Sequence, residues 1–282
     1  MFSCCKDKKK FMEYKGMLIP RNAPHKQTFT EKEEIHSYLS HSRALLLRDV
    51  GNFGCTDNRA FYYVIKDTFD GLNGLKRRDR NKIRHAEKFF YIQPLEYAQL
   101  KKDGFEVYKS TYDGYKKKTE RMMSRREYEQ RLDKIKTSRE FFGCIEKTSN
   151  RIAAYAELFI MDNACFMYTV LADPRYTRNG YYALYGLYYG ICRHYLSENK
   201  LAYVSNGCKS MTERSNVHDF LIARFGFRKV YADMQVTYKW WFGCLVRALY
   251  PFRHVFSNSK LKAVMRQEEI NRIMKSVSPT AC

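Results

Sequence analysis

Glu157 and His218 are two residues in the second half of the chain whose side chains could carry a proton in a reaction. Glu157 alternates with Tyr155 and Phe159, so a strand there would place these three side chains on one face. His218 is the second candidate, because an imidazole titrates near neutral pH. The alternatives are a surface glutamate that pairs with a lysine and an ordinary histidine on a helix surface.

A loop between these two residues could bind an anion. Residues 173–180 include Arg175, Arg178 and Gly180, and they stand between a predicted strand and a long predicted helix. Guanidinium groups bind phosphate oxygens, and the N–H groups at a helix N-terminus attract anions.

A strongly basic helix is predicted at residues 75–88, where Leu75, Ile83 and Ala86 are the few apolar positions. Two interpretations stay open. The helix is either exposed and held at one edge, or it presents a row of arginines and lysines to an anion.

The elements that must position these residues follow one another in a regular order. Strands are predicted at 141–146, 151–160, 165–172, 201–205 and 229–238, with a hairpin turn at 161–164. Helices are predicted at 181–196 and 216–224. The order β-β-β-loop-α-β-α-β indicates an α/β protein with a mixed sheet flanked by helices.

The first half of the chain is predicted to be mixed α/β as well. Thr30 with Glu33, and Ser124 with Glu127, have the spacing of capping boxes that open helices. Further strands are predicted at 43–50 and 61–69, and turns at 103–104 and 113–114.

Together these features resemble the core of the GNAT superfamily of acyltransferases. The resemblance rests on the hairpin, the strand that ends at Ala172-Asp173-Pro174, the basic glycine-bearing loop and the late Gly226-Phe227-Arg228 sequence. It covers roughly residues 141–238. The basic helix between two α/β segments is similar to the FemAB-like, tandem-GNAT acyltransferases, whose first GNAT-like half is here reduced to a short lobe.

The resemblance implies an acyl-CoA donor whose pyrophosphate is wrapped by the loop after the fourth strand. The donor contacts that it implies are Leu171, Ala172, Arg175, Thr177, Arg178, Asn179, Gly180, Tyr181 and Tyr182. It also implies Glu157 as the general base, with His218 as the second catalytic candidate. Asn216 resembles the asparagine at the head of the family's late helix, and its alternative role is a helix cap.

The sequence departs from the family pattern at three places. Thr177 stands where the family has arginine or glutamine, and Tyr182 where it has glycine or alanine. Ile222 stands where many members have the tyrosine that protonates the leaving thiolate. Arginine side chains can still bind phosphate, and Tyr181, Tyr182 or water would have to act as the acid.

Composition limits the partners and the compartment. The net charge is +21, from 51 basic against 30 acidic side chains, and such a chain attracts polyanions or stays a solvated basic surface. The nine cysteines lack paired C-x-x-C spacing, so no zinc site is predicted, and no secretory signal is recognisable. We expect a cytoplasmic protein, with a peripheral location at the inner membrane face as the alternative.

Residues 240–256 combine aromatic and basic side chains, so they form either an amphipathic surface anchor or a segment packed on the sheet.

The sequence thus predicts three segments. Residues 1–90 form a reduced N-terminal GNAT-like lobe, 91–238 the acyltransferase domain, and 239–282 an amphipathic, basic tail with a polar helix. The expected function is transfer of an acyl group, as in N-acetyltransferases, from acetyl-CoA or another acyl-CoA to an amine or hydroxyl of a small or cell-envelope acceptor. The alternatives are an aminoacyl-tRNA-dependent transferase and a non-catalytic module that binds anionic lipid or nucleic acid.

Overall fold

The computed structural model describes residues 10–56, 59–115, 121–178, 180–211 and 216–277. The strands are β1 (Phe11–Tyr14), β2 (Met17–Pro20), β3 (Leu46–Cys55), β4 (Tyr62–Lys66), β5 (Phe90–Pro94), β6 (Glu140–Glu146), β7 (Ile152–Met161), β8 (Ala164–Ala172), β9 (Tyr203–Cys208) and β10 (Arg228–Tyr238). The helices are α1 (Lys32–Ser40), α2 (Arg77–Phe89), α3 (Tyr97–Asp113), α4 (Arg125–Ile135), α5 (Pro174–Arg178), α6 (Ala183–Cys192), α7 (Val217–Phe225), α8 (Trp240–Leu249) and α9 (Ser259–Val277).

The chain divides into two compact units, each built from separate stretches of sequence. The first contains Met1–Tyr63, Cys208–Asn216 and Lys229–Cys282, and the second contains Val64–Gly207 and Val217–Arg228. The three-segment division expected from the sequence stays a prediction.

In the first unit the strand order is β1-β2-β3-β10, with β2 parallel to β3 and the other neighbours antiparallel. Helix α9 packs on this sheet, because Asn271 accepts a hydrogen bond from the backbone N–H of Val236 at 3.0 Å. Ile270 and Met274 are buried beside it in the same apolar cluster. The interpretation of the C-terminal helix as merely polar is therefore incomplete, since one of its faces belongs to a core.

In the second unit the strand order is β4-β9-β8-β7-β6-β5. Strands β8 and β9 are parallel, whereas the pairs β5–β6, β6–β7 and β7–β8 are antiparallel. Helices α3 and α4 cover one face of the sheet. In the core between them and the sheet, the Tyr128 hydroxyl donates a hydrogen bond to the Tyr155 hydroxyl at 3.1 Å. Helix α6 covers the other face. A Cβ at Gly190 would overlap Ile92 and press on Phe142, so this glycine permits the close approach of helix and sheet.

Most predicted elements of residues 141–238 are confirmed, including the hairpin at Asp162 and Asn163, which both have positive φ. Helix α6 begins two residues later than predicted because Tyr182 is left-handed, and a π-helical turn, Arg193–Glu198, follows it. The loop at 173–180 contains the short helix α5. Strand β5, which the sequence analysis did not predict, extends the sheet beyond β6.

Of the two predicted capping boxes, one is confirmed and one is wrong. Ser124 and Glu127 form both reciprocal hydrogen bonds of the box at the start of α4. Thr30 caps nothing. Its backbone N–H donates to Asp49 at 2.7 Å, and α1 begins later, with Glu31 as the N-cap. The predicted turn at Gly104 is also wrong, because the residue lies inside α3, where a Cβ would meet the Tyr128 hydroxyl at 2.5 Å.

Candidate active site

Strands β8 and β9 part next to the predicted donor contacts. Their parallel pairing joins Ala164–Phe166 to Tyr203–Ser205, while β8 runs on along β7 until Ala172 lies opposite Ala154. Leu171 and Ala172 therefore lie on the stretch of β8 beyond its pairing with β9. Backbone groups on such an edge are available to a ligand. The structure thus places these two residues where a strand N–H could contact a donor.

After β8 the chain enters the predicted phosphate loop. The Asp173 carboxylate accepts hydrogen bonds from the Arg175 backbone, at 2.9 Å, and from its guanidinium, at 2.6 Å. Burial acts to raise the pKa of Asp173, but these hydrogen bonds prevail and lower it. Arg175 is thus held by an anion of the protein itself. Thr177 donates to the Pro174 carbonyl at 3.2 Å inside α5.

The end of the loop has an unusual backbone. Gly180 and Tyr182 have φ of 84° and 57°, and Tyr182 is the N-cap of α6 without a side-chain capping bond. A left-handed conformation costs a residue with a Cβ roughly 1–2 kcal/mol. The backbone at Tyr182 therefore has a conformation that a glycine adopts readily, as the family pattern implies. Asn179 and the side chain of Arg178 lie outside the described residues.

A cavity of about 940 Å³ lies between this loop and helix α2. Gly180 and Tyr182 form one wall, and the other wall consists of Arg77, Arg78, Asn81, Lys82 and His85. The basic residues follow one stripe of α2, whereas Asp79, Ile83 and Ala86 form its buried stripe. The helix is thus held at one edge, as the first interpretation has it, and the contact of its basic stripe with an anion stays a prediction.

Lys82 links α2 to the start of α6. Its ammonium group donates to the Tyr185 hydroxyl at 3.1 Å and lies 5.3 Å from the centre of the Tyr182 ring. The Tyr182 ring also meets His85, at 5.7 Å between centres. Tyr181 instead packs among Phe89, Phe90 and Tyr176. Tyr182 is thus the predicted acid candidate that lines the cavity, and Tyr181 belongs to an aromatic cluster.

Glu157 is fully buried on β7, where both of its carboxylate oxygens accept hydrogen bonds from Arg131 of α4, one of them at 2.8 Å. The alternative of a surface glutamate paired with a lysine is therefore wrong. Burial acts to lower the pKa of Arg131, but its bonds with Glu157 prevail and raise it. The same face contains Tyr155, as the alternation predicted.

The remaining predicted residues lie on or before α7. Asn216 is exposed and immediately precedes the helix. The His218 ring nitrogen lies 3.2 Å from the Asn206 carbonyl at the end of β9. Ile222 is half-buried at the position of the family's tyrosine acid.

The predicted residues are not gathered in one place. Arg175 lines a second cavity of about 520 Å³, together with Arg125 and Arg151, and neither cavity is lined by Glu157, Asn216 or His218. Arg131 was not among the predicted site residues, because no sequence signal connects it to β7. The single basic stripe of α2 was predictable, since Arg78, Lys82 and His85 have helical spacing.

Two other kinds of site are not found. Across the described ranges, no helix combines the length and apolar character that a membrane span requires. In the same ranges no group of three or more His, Cys, Asp or Glu side chains could hold a metal ion.

The fold has counterparts among solved structures. FemX matches 70% of this chain and 73% of its own, at 12% identity and a TM-score of 0.50. The C-terminal domain of a proposed lysylphosphatidylglycerol synthetase from Agrobacterium fabrum matches 79% of this chain and 78% of its own, at 11% identity and a TM-score of 0.50. No protein-family model matches the sequence, and no curated protein is significantly similar to it. The predicted GNAT-like α/β fold of FemAB-like type is confirmed.

Proposed function

We propose that this protein is an acyltransferase that takes its acyl group from acyl-CoA and passes it to an amine or hydroxyl acceptor. The observation that supports this is the cavity in which Gly180 and Tyr182, at the start of α6, face the basic stripe of α2. Backbone N–H groups at a helix start, with arginine and lysine opposite them, match the needs of a phosphate-bearing ligand.

The proposed chemistry is direct transfer. The acceptor loses a proton to a base and attacks the thioester carbonyl, while N–H groups of β8 near Leu171 and Ala172 stabilise the oxyanion. The intermediate then expels the thiolate, which takes a proton from Tyr182 or from water.

Glu157 is the proposed base, and Arg131 makes this role testable. A base would be lost in Glu157→Gln, and turnover should fall at least ~100-fold. A purely structural carboxylate predicts a different pattern: Arg131→Gln would lower activity as much as Glu157→Gln, in step with a lower melting temperature for both variants. Turnover that is unchanged in folded Glu157→Gln would remove the residue from the mechanism.

Aminoacyl-tRNA is the second candidate donor. The net charge of +21 and the open, basic wall of the cavity favour a large polyanion. The second structural neighbour also bears a name that specifies an aminoacylated lipid as product. The acceptor would then be an amine or hydroxyl as before.

Thermal unfolding with each ligand separates the two donors. Acetyl-CoA should raise the melting temperature, because a ligand of the native state adds about 2.7 kcal/mol of stability at 100 times its dissociation constant. Acyl transfer is then measured as acceptor-dependent release of free coenzyme A. A shift with charged tRNA and none with acetyl-CoA would overturn the leading proposal in favour of the second. Salt-sensitive binding of both polyanions without acyl transfer to any amine or hydroxyl tested would favour a binding module.

A further inference from the structure

Helix α8 in the first unit presents apolar residues to the outside. Trp240 is 81% exposed, and Trp241 and Leu245 are about half exposed. Large apolar side chains that are contiguous and exposed commonly mark an interaction site.

The exposed residues of α8 form one continuous stripe. At 100° per residue, the exposed apolar positions cover about 140° of the helix surface. They are Trp240, Trp241, Cys244, Leu245 and Ala248, and the exposed Arg247 lies at the edge of this stripe. The inner side of the helix contains Gly243 and Val246, which are buried. The outward face of this helix is therefore mostly apolar, with a single arginine at its edge.

The apolar surface continues beyond the helix. In the turn after α8, Phe252 is 61% exposed and Val255 is 80% exposed. Aromatic and aliphatic side chains thus extend along the segment on both sides of Pro251.

Basic residues flank this surface, and acidic residues are absent from the surrounding sequence. Between Asp233 and Glu268 no Asp or Glu occurs, while the basic residues there are Lys239, Arg247, Arg253, Lys260, Lys262 and Arg266. Arg247 lies beside the stripe and donates to the Gly243 carbonyl at 3.1 Å. Arg253 lies over the Tyr250 ring, at 4.6 Å from its centre.

We propose that α8 and the turn after it bind the surface of an anionic lipid bilayer, with both tryptophans in the layer between headgroups and acyl chains. An interfacial helix has this composition: an apolar face with tryptophan, flanked by lysine and arginine. A complementary negative surface attracts each such basic residue. A purely apolar protein partner would leave the basic flanks unmatched.

The chain contains two tryptophans, and both lie in this surface, so their fluorescence reports on it directly. The purified full chain is mixed with vesicles of phosphatidylcholine and phosphatidylglycerol in equal parts, or of phosphatidylcholine alone. We expect a blue shift and quenching by brominated acyl chains with the mixed vesicles, and much weaker binding to phosphatidylcholine alone. Binding to mixed vesicles without quenching would show that another basic surface makes the contact and would overturn the proposal.

Variants separate the apolar and the electrostatic contributions. In vesicle cosedimentation, Trp240→Ser should weaken binding at least ~10-fold. Arg253→Gln should weaken binding to mixed vesicles by about fivefold. Tyr91→Ser, which removes a 53% exposed aromatic residue from β5, is the matched control and should bind as the wild type does. An equal loss in the control would contradict a specific surface.

A second copy of the chain is the competing occupant, and sedimentation velocity without lipid tests it. We expect a single species whose size does not change with protein concentration. A dimer that Trp240→Ser abolishes, together with unquenched tryptophans on vesicles, would overturn membrane binding in favour of self-association.

Discussion

Neutralising the basic stripe of α2 should abolish most of the affinity for a phosphate-bearing donor. The change is Arg78→Gln together with Lys82→Gln, and both residues line the cavity that Gly180 closes on the other side. The double variant keeps side chains of similar length and helix propensity. It should therefore alter charge more than fold.

The magnitude follows from where the two side chains lie. Arg78 is exposed, so its attraction to a phosphate is worth about 1 kcal/mol. Lys82 is half-buried and already held at Tyr185, so a hydrogen bond from it to a phosphate is worth about 2 kcal/mol. Together they give about 3 kcal/mol, or roughly a hundredfold change in dissociation constant.

Isothermal titration with coenzyme A at low ionic strength measures this change. The matched control is Arg84→Gln with Lys88→Gln, which removes the same charge from exposed positions of α2 outside the cavity lining. The control should lose less than about threefold, because side chains outside the cavity lining form no hydrogen bond with a ligand in it and an exposed charge contributes little. Equal losses in both double variants would mean that the overall charge binds coenzyme A, and the assignment of the cavity would be refuted.

Three smaller changes test the supporting structure. Replacing Tyr182 by glycine relaxes the left-handed N-cap and clears the cavity, so coenzyme A should bind more tightly, and weaker binding would show that the ring contacts the ligand. Gly190→Ala should lower the free energy of unfolding by about 1–3 kcal/mol in urea through overpacking, whereas Gly74→Ala, which makes only ordinary contacts, should change little. The hydrogen bond with Arg121, together with the cap at Ser124, lowers the pKa of Glu127 from 4.5 to about 2. The contribution of Glu127 to the free energy of unfolding is therefore complete above pH 4.5 and lost as the pH falls towards 2. Glu127→Gln should lose less stability than the wild type over that range.

The sequence predicted best where local pattern and tertiary structure agree. The hairpin at residues 161–164 was predictable because Asp162 and Asn163 tolerate positive φ, and alternation on β7 correctly placed Tyr155 and Glu157 together. Ser124 with Glu127 was predictable for the same reason, since the cap is formed by residues three apart.

The sequence failed where a distant residue decided the outcome. Thr30 has the spacing of a helix cap, but Asp49, 19 residues away, binds its backbone N–H instead. Gly104 has the composition of a turn, but the packing of α3 on Tyr128 requires a glycine there. The partner of Glu157 could not be predicted either, because Arg131 lies on helix α4, 26 residues earlier in the chain, and no local pattern connects the two.

The separation of Glu157 from the basic cavity is consistent with acyl transfer through the sheet. Helix α6 lies on one face of the second unit's sheet, and the Glu157–Arg131 pair lies on the face covered by α4. The loop before α6 reaches both sides, because Arg175 lines a cavity with Arg125 of α4 and Gly180 lines one with α2. Between these faces β8 and β9 are paired only from Ala164 to Phe166, so the sheet is open beside Leu171. A donor bound by its phosphates at α2 could extend its acyl arm through this opening towards β7. The acceptor would then approach from the α4 side, and the base would not need to line the phosphate cavity. On this reasoning a bulky residue at the opening, as in Ala172→Trp, should block turnover while coenzyme A still binds at α2. If it blocked both equally, the two sites would have to be one.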